Sequence, residues 1–447
     1  MNALSRRRFL SASAKTAAAA AIAGPVIAGC STSSSSGASS VTSKGDDVLT
    51  LGFPGTPKTF TSTQKLLSKF TKQTGITVNF FTTNTSSNTW VSVFQEISTR
   101  LAGGQPMDSA NIATEGMLLF AKQGLLEPLD DYIAKDQAFM TSFYNDIDQQ
   151  MLAAFRQLDN VDGKTYFVPY VYNVMSMWYN PSLFKAHNLP APAPGWTWDD
   201  FERAATTIAS APNRYGYAIS TPVPGPFIDV YPWVLTNGGQ IMNTAQTQCV
   251  SDNAAAIEAA AFVRNLVVKQ AANPPGGTYN QFTAMAAGNL GMFGGGVWPN
   301  NSIPLTQSQI NSQVAIAPWP KHGADGTPVG LAAFPMFKST ANKKALWEFI
   351  KFSVSPDFQA ADVGIFSGGM PIRKSSATTY AATLPPGTDN FISELPNSTM
   401  IVGVPNGSAV ENQMSTVWEQ ILTGAVSPAA GMKAMQDSCN QLMTQKV

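Results

Sequence analysis

The chain has 447 residues, 44% of them hydrophobic, and its 28 basic and 28 acidic side chains cancel. Charged residues are 13% of the total, about half the usual ~25%, so the polar surface rests on Ser, Thr, Asn and Gln. Such a balance excludes nucleic-acid binding, which calls for a basic patch, while the length allows two to three domains' worth of core.

The N-terminus reads as an export signal. Ser5-Arg6-Arg7-Arg8-Phe9-Leu10 sets paired arginines before an apolar step, as in a twin-arginine signal. The apolar stretch 17–28 is far shorter than the roughly 20 residues that span a bilayer. It ends in Ile27-Ala28-Gly29-Cys30, similar to a bacterial lipobox, with Cys30 as the lipidated residue. An ordinary secretory signal with a chance cysteine is the alternative. Residues 1–29 are thus expected to be a twin-arginine lipoprotein signal peptide and 30–45 a flexible Ser-rich tether. Cleavage before Cys30 removes Arg6, Arg7, Arg8 and Lys15 and leaves 24 basic against 28 acidic residues.

The following segment reads β-α-β. A strand over 48–53 and a Pro54-Gly55 turn lead to Thr56 and Pro57, which fit the N-cap and first helical position. Phe60, Leu66, Leu67 and Phe70 line one helix face, Gly75 stops it, and 76–81 is the next strand, parallel to the first. Trp90, Phe94, Ile97 and Leu101 mark a second helix; a strand over 107–112, a helix over 115–123 and the apolar turn 125–129 repeat the unit. This is a doubly wound α/β pattern. Residues 166–179 are continuously apolar and aromatic, as in a buried strand crossing between lobes. Thr197 and Asp200 fit a capping box for a helix to Ala209. Further helices are expected over 252–269, after Lys343-Lys344, through Val410, Met414, Val417 and Ile421, and through Met432, Met435, Cys439 and Leu442. No solenoid repeat is present, and all-helical or all-β classes do not fit.

Catalytic equipment is sparse. The two histidines, His187 and His322, lie in turn-like contexts, and no HExxH, GxSxG or P-loop occurs. Gly294-Gly295-Gly296 lacks the Lys-Ser/Thr of a phosphate loop. Asp130-Asp131 and Asp199-Asp200 fit helix starts better than acid pairs, because adjacent helical residues point apart. Two distant carboxylates would still suffice for a glycosidase. Cys249 and Cys439 form a possible disulfide in an oxidising exterior. No Cys/His cluster suggests a metal, and no cofactor is implied.

Several motifs then occur in order: Gly104-Gln105-Pro106-Met107-Asp108, Gly124-Leu125-Leu126-Glu127-Pro128-Leu129-Asp130, Tyr179-Asn180 with Leu183-Phe184, and Trp196-Thr197-Trp198-Asp199-Asp200-Phe201. Asn237-Gly238-Gly239, Ala284-Met285 with Gly288, Pro318-Trp319-Pro320 and Gly369-Met370-Pro371-Ile372-Arg373 complete the series. Together they resemble the family 1 extracellular solute-binding proteins, the maltodextrin-binding-protein group of ABC importers, from about Val48 to the C-terminus. Met107 departs from the pattern by standing between the usual proline and aspartate.

The resemblance implies an α/β, type II periplasmic-binding-protein fold: two lobes, each a mixed sheet flanked by helices, joined by a hinge. The N-terminal lobe would hold 46–171 plus 336–368 and the C-terminal lobe 177–329 plus 373–447. It also implies the site. Glu115 would accept sugar hydroxyl bonds, with an acid favouring a helix start as the alternative. Tyr172 and Asn173 lie on the first crossing, and Trp298 matches an aromatic platform, or else core. Phe227, Asp229 and Trp233 are looser candidates; Phe53, Gly330, Arg373 and Glu411 sit at family positions facing the cleft. Arg373 either reaches an anionic ligand group or pairs within its own lobe.

The function implied is the substrate-binding component of an ABC importer for a sugar or oligosaccharide, closing around its ligand. Partners would be the permease subunits with their cytoplasmic ATPase and, through the N-terminal lipid, the outer face of the cell membrane or the periplasmic face; the chain would be a monomer. A receptor for a glycerol phosphate or a polyamine is the alternative, and a secreted carbohydrate-active enzyme the competitor from another class.

Overall fold

The computed structural model describes residues 48–53, 57–82, 90–220, 225–276, 279–361, 363–364, 368–401 and 403–445. The export signal, Cys30, the Ser-rich stretch, the Pro54-Gly55 turn, Thr56 and the Phe60 side chain lie outside what is described. Among the described residues no helix is long and apolar enough to cross a membrane.

Strand β1 (Val48–Phe53) leads through helix α1 (Pro57–Thr74) to β2 (Thr77–Thr82), and the two strands pair in parallel as the crossover requires. Gly75, with φ 77°, ends α1 in the left-handed region, and the buried Phe70 meets Phe349 and Phe352 at ring distances of 5.5 and 5.0 Å. Helix α2 (Trp90–Ala102) turns its buried Val93, Phe94 and Ile97 inward. The single strand expected over 107–112 is divided. Its first part, β3 (Ser109–Ala110), pairs with β1, and its second, β4 (Ile112–Ala113), pairs with a different sheet. Asn111 stands at the break, with its N–H donating to Gly52 O at 2.9 Å and its Oδ1 accepting from the Tyr170 hydroxyl at 3.1 Å. Just before β3, the Asp108 carboxylate accepts from Thr50 N at 2.6 Å, from Asn342 Nδ2 at 3.1 Å, and from the Thr340 hydroxyl. Helix α3 (Thr114–Lys122) follows directly.

The apolar run 166–179 likewise serves two sheets. It forms β5 (Pro169–Val174) and β6 (Ser176–Tyr179), with only Met175 between them. After β7 (Tyr215–Ala218), β8 (Leu290–Gly295) and β9 (Ala315–Ala317) come β10 (Thr327–Ala333), β11 (Met370–Pro371) and β12 (Ser398–Met400). One sheet has the order β2-β1-β3, a second β11-β5-β10-β12 with β4 also on β10, and a third β7-β8-β6-β9. Mixed pairing and flanking helices make this the two-lobed α/β architecture expected. The strand read as a crossing, β5, therefore lies between β11 and β10.

Local signals explain the helices near the third sheet. Thr197 and Asp200 close the capping box of Trp198–Ala209. Asn253 caps Ala254–Val268 from its side chain. That helix packs against the terminal pair Gly407–Thr423 and Pro428–Met443, which bury Met414, Trp418, Met432, Met435 and Cys439 between them.

Candidate functional site

Residues from four separate segments meet where β5, β10 and β11 run together. Asn173 on β5 lies opposite Gly330 on β10. Its Oδ1 accepts the Val297 backbone N–H at 2.9 Å, which ties the crossing strand to the loop after β8. That approach depends on Gly296, where a Cβ would stand 2.4 Å from both Asn173 Oδ1 and the Trp298 ring. The triple glycine thus serves close packing. Trp298 is half-buried, and the Phe227 ring lies 6.3 Å away at 32°. Phe227 belongs to a π turn, Pro226–Val230, and its ring also comes within 3.3 Å of the point a Gly330 Cβ would occupy. Asn173, Gly330, Phe227 and Trp298 therefore form one wall.

A second group adjoins it. The Thr114 hydroxyl accepts from Leu331 N at 2.8 Å and donates to Leu331 O at 3.2 Å, pinning the start of α3 beside Gly330. Glu115, next in the chain, is 2% exposed. Facing α3 is the helix Gly407–Thr423: a Cβ on Gly407 would lie 2.6 Å from the Glu115 carbonyl oxygen, and Glu411 stands one turn further on, fully buried. Burial pushes the Glu115 carboxyl up to about 7. It pushes Glu411 well above the usual carboxylate range, and the Glu115 charge adds to that rise. Both Glu411 carboxylate oxygens lack a hydrogen-bond partner, as do the buried hydroxyls of Tyr231 and Ser415. Tyr231 and Ser415 went unnoticed in the sequence. Only the spacing of Ser415 four residues after Glu411 on one helix face could have flagged it.

The other candidates lie apart. Tyr172 alternates to the opposite face of β5 from Asn173, with its hydroxyl buried and unpartnered. Asp229 accepts from the Tyr217 hydroxyl and from Ser220 N at 2.5 Å, and burial raises its carboxyl to about 7. Trp233 packs among Phe201, Phe262 and Trp319 at ring distances of 4.9, 5.3 and 5.2 Å. Phe53 ends β1 with its ring 5.2 Å from that of Phe334. Arg373, 3% exposed, donates from Nε to Val354 O at 2.6 Å and from Nη1 to Asp146 at 3.2 Å, and lies 5.1 Å from the Phe143 ring. Burial alone would raise Asp146, but the bonds from Ser375 and Arg373 hold it below the usual range. Cys249 and Cys439 are buried free thiols. Cys249 Sγ donates to Ser251 Oγ at 3.5 Å and Cys439 Sγ to Val410 O at 3.8 Å. The influence of the other thiol, stronger than that of burial, draws Cys249 down to about 7, while Cys439 rises.

Among the described residues no group of three or more His, Cys, Asp or Glu could hold a metal ion. A groove of about 520 Å³ lies at Tyr215, Tyr279, Asn280 and Asn289, and one of about 220 Å³ at Pro194, Pro318, Lys321 and Asp325; neither includes a residue of the two groups above.

This architecture has many counterparts. An ABC substrate-binding protein from Listeria monocytogenes in complex with cycloalternan superposes with a TM-score of 0.77 at 21% identity, over 90% of this chain and 100% of that one. A solute-binding protein from Thermotoga lettingae bound with alpha-D-tagatose gives 0.76 at 19% identity, over 89% and 100%. In sequence, a protein of Brucella abortus named for binding is 24% identical over 80% of this chain and 84% of its own length. The model of the bacterial extracellular solute-binding proteins matches residues 54–360. The two structures are named as binding proteins of ABC transporters, and this chain belongs to the bacterial extracellular solute-binding proteins.

Proposed function

We propose that this protein captures a sugar or oligosaccharide outside the cell and presents it to the permease of an ABC importer. The observation that carries the reading is the convergence of Asn173, Phe227, Trp298 and Gly330 with Glu115 and Glu411 beside the crossing strands. A sugar ring has a C–H face that suits an indole and a rim of hydroxyls that suits amide and carboxyl groups. Relatives of the same fold hold cycloalternan and tagatose. The lobes of this reading are 46–171 plus 336–368 and 177–329 plus 373–447, and ligand closes them by binding the closed form more tightly than the open one. Arg373 is occupied by Asp146 and Val354, which removes the residue an anionic solute such as a glycerol phosphate would need.

Cys30 is the anchor in this proposal: a twin-arginine signal exports the chain, and lipid on Cys30 holds it, as a monomer, at the outer face of the membrane. Cys30→Ser should release the protein from the membrane fraction, and retention there would contradict the anchor. The sugar reading is tested by thermal shift against a panel of mono- and oligosaccharides, because a ligand that binds only the native state raises the melting temperature. A panel without one stabilising sugar would contradict it.

A further inference from the structure

Glu115 on α3 and Glu411 on the facing helix Gly407–Thr423 are both buried, and the charge of Glu115 acts on the Glu411 carboxyl. Among the described residues no ion pair reaches either carboxyl. A buried charge without a partner is costly, and two facing ones more so. The polar atoms around them are also unsatisfied: both Glu411 oxygens, the Tyr231 hydroxyl, and the Ser415 hydroxyl one turn along the same helix face. Tyr231 is 1% exposed and lies within electrostatic reach of both carboxyls. A neutral sugar could donate hydrogen bonds here but would bring no compensating charge. Among the described residues no third His, Cys, Asp or Glu joins the two carboxyls to make a metal-binding group. A protonated amine supplies both charge and three N–H donors on one atom.

We propose that the solute is an amino-substituted saccharide whose protonated nitrogen is clamped between Glu115 and Glu411, with the Tyr231 hydroxyl as a third contact. This rests on the sugar-receptor reading and narrows its ligand class. The raised carboxyls fit it, since the empty pair takes up protons in place of the absent cation.

The test uses the purified protein and matched sugars differing only in an amino group: glucosamine with glucose, galactosamine with galactose, mannosamine with mannose, and the β1,4-linked glucosamine dimer with cellobiose. Each is run by thermal shift and calorimetric titration at about pH 6.5, where the amines are protonated. At least one amino sugar should bind ~10-fold or more tightly than its hydroxyl twin. Glu411→Gln should bring that ratio close to one, with the melting temperature of the empty variant showing that it folds. Neutral twins that bind as tightly or more tightly, or a preference that survives Glu411→Gln, overturn the clamp and leave the receptor reading standing. Failure of every sugar, amino and neutral alike, removes both.

Discussion

The Asn173–Trp298 wall and the Glu115–Glu411 pair adjoin one another, yet they are built on opposite terms. In the wall, Asn173 Oδ1 accepts the Val297 N–H and the Trp298 ring rests beside that of Phe227. In the pair, both Glu411 oxygens and the Tyr231 and Ser415 hydroxyls have none. Most buried polar groups in native proteins are satisfied, so in the proposed reading the orphans are where a ligand would bind and the wall is where its ring would stack. Arg373 gives the contrast, since its guanidinium already donates to Val354 O and to Asp146 of its own protein.

Breaking that contrast gives the largest effect. Asp146→Ala removes the carboxylate partner of Arg373, and losing a charge-assisted bond to a buried guanidinium costs about 3 kcal/mol. Urea unfolding should show that loss, while sugar affinity in the folded fraction stays as it was. A large drop in affinity would instead place Arg373 in the site. Next comes Trp298→Ala, which should cost about 2 kcal/mol of binding, roughly 30-fold in Kd. It should also abolish the intrinsic-fluorescence change on ligand addition with little loss of fold. Unchanged affinity removes the stacking argument.

The titration of the buried acids is a smaller and more diffuse effect. Burial raises Asp159, Asp229 and Glu115 to about 7 from ordinary values of 3.8, 3.8 and 4.5. A carboxyl raised in the folded state contributes its full stability below the ordinary value and loses it as pH climbs toward 7. Each such proton changes stability by up to ~1.4 kcal/mol per pH unit in that window. Asp136, Asp146 and Asp200 are lowered, so their contribution stays intact throughout it. Melting should therefore occur at a higher temperature near pH 5 than near pH 8, and the reverse order would contradict these burials. The smallest effect concerns Cys249 and Cys439, side by side as thiols. Protein exported and purified without reductant should carry them oxidised, with a mass lower by two hydrogens than after reduction.

Elements with a local cause were legible in the sequence. The capping box of Thr197 and Asp200, the Gly75 stop and the apolar faces of the last two helices appear where local chemistry puts them. Strand divisions were not. Residues 107–112 and 166–179 each read as one strand, because the sequence of a strand does not reveal which sheet each half joins; Asn111 and Met175 mark the changes only once β1, β10 and β8 are in place. The site divides the same way. Glu115, Asn173, Trp298 and Glu411 stood out through the family resemblance. Tyr231 emerged only from its tertiary neighbours, being an apolar-looking residue within a short helix.

A crystal structure with the sugar that most raises the melting temperature tests the account most directly. The account predicts a ring against Trp298 with polar groups of the guest reaching Asn173, Glu115 and Glu411. A sugar bound instead in the Tyr215–Tyr279 groove, with Glu411 still unpartnered, would contradict it.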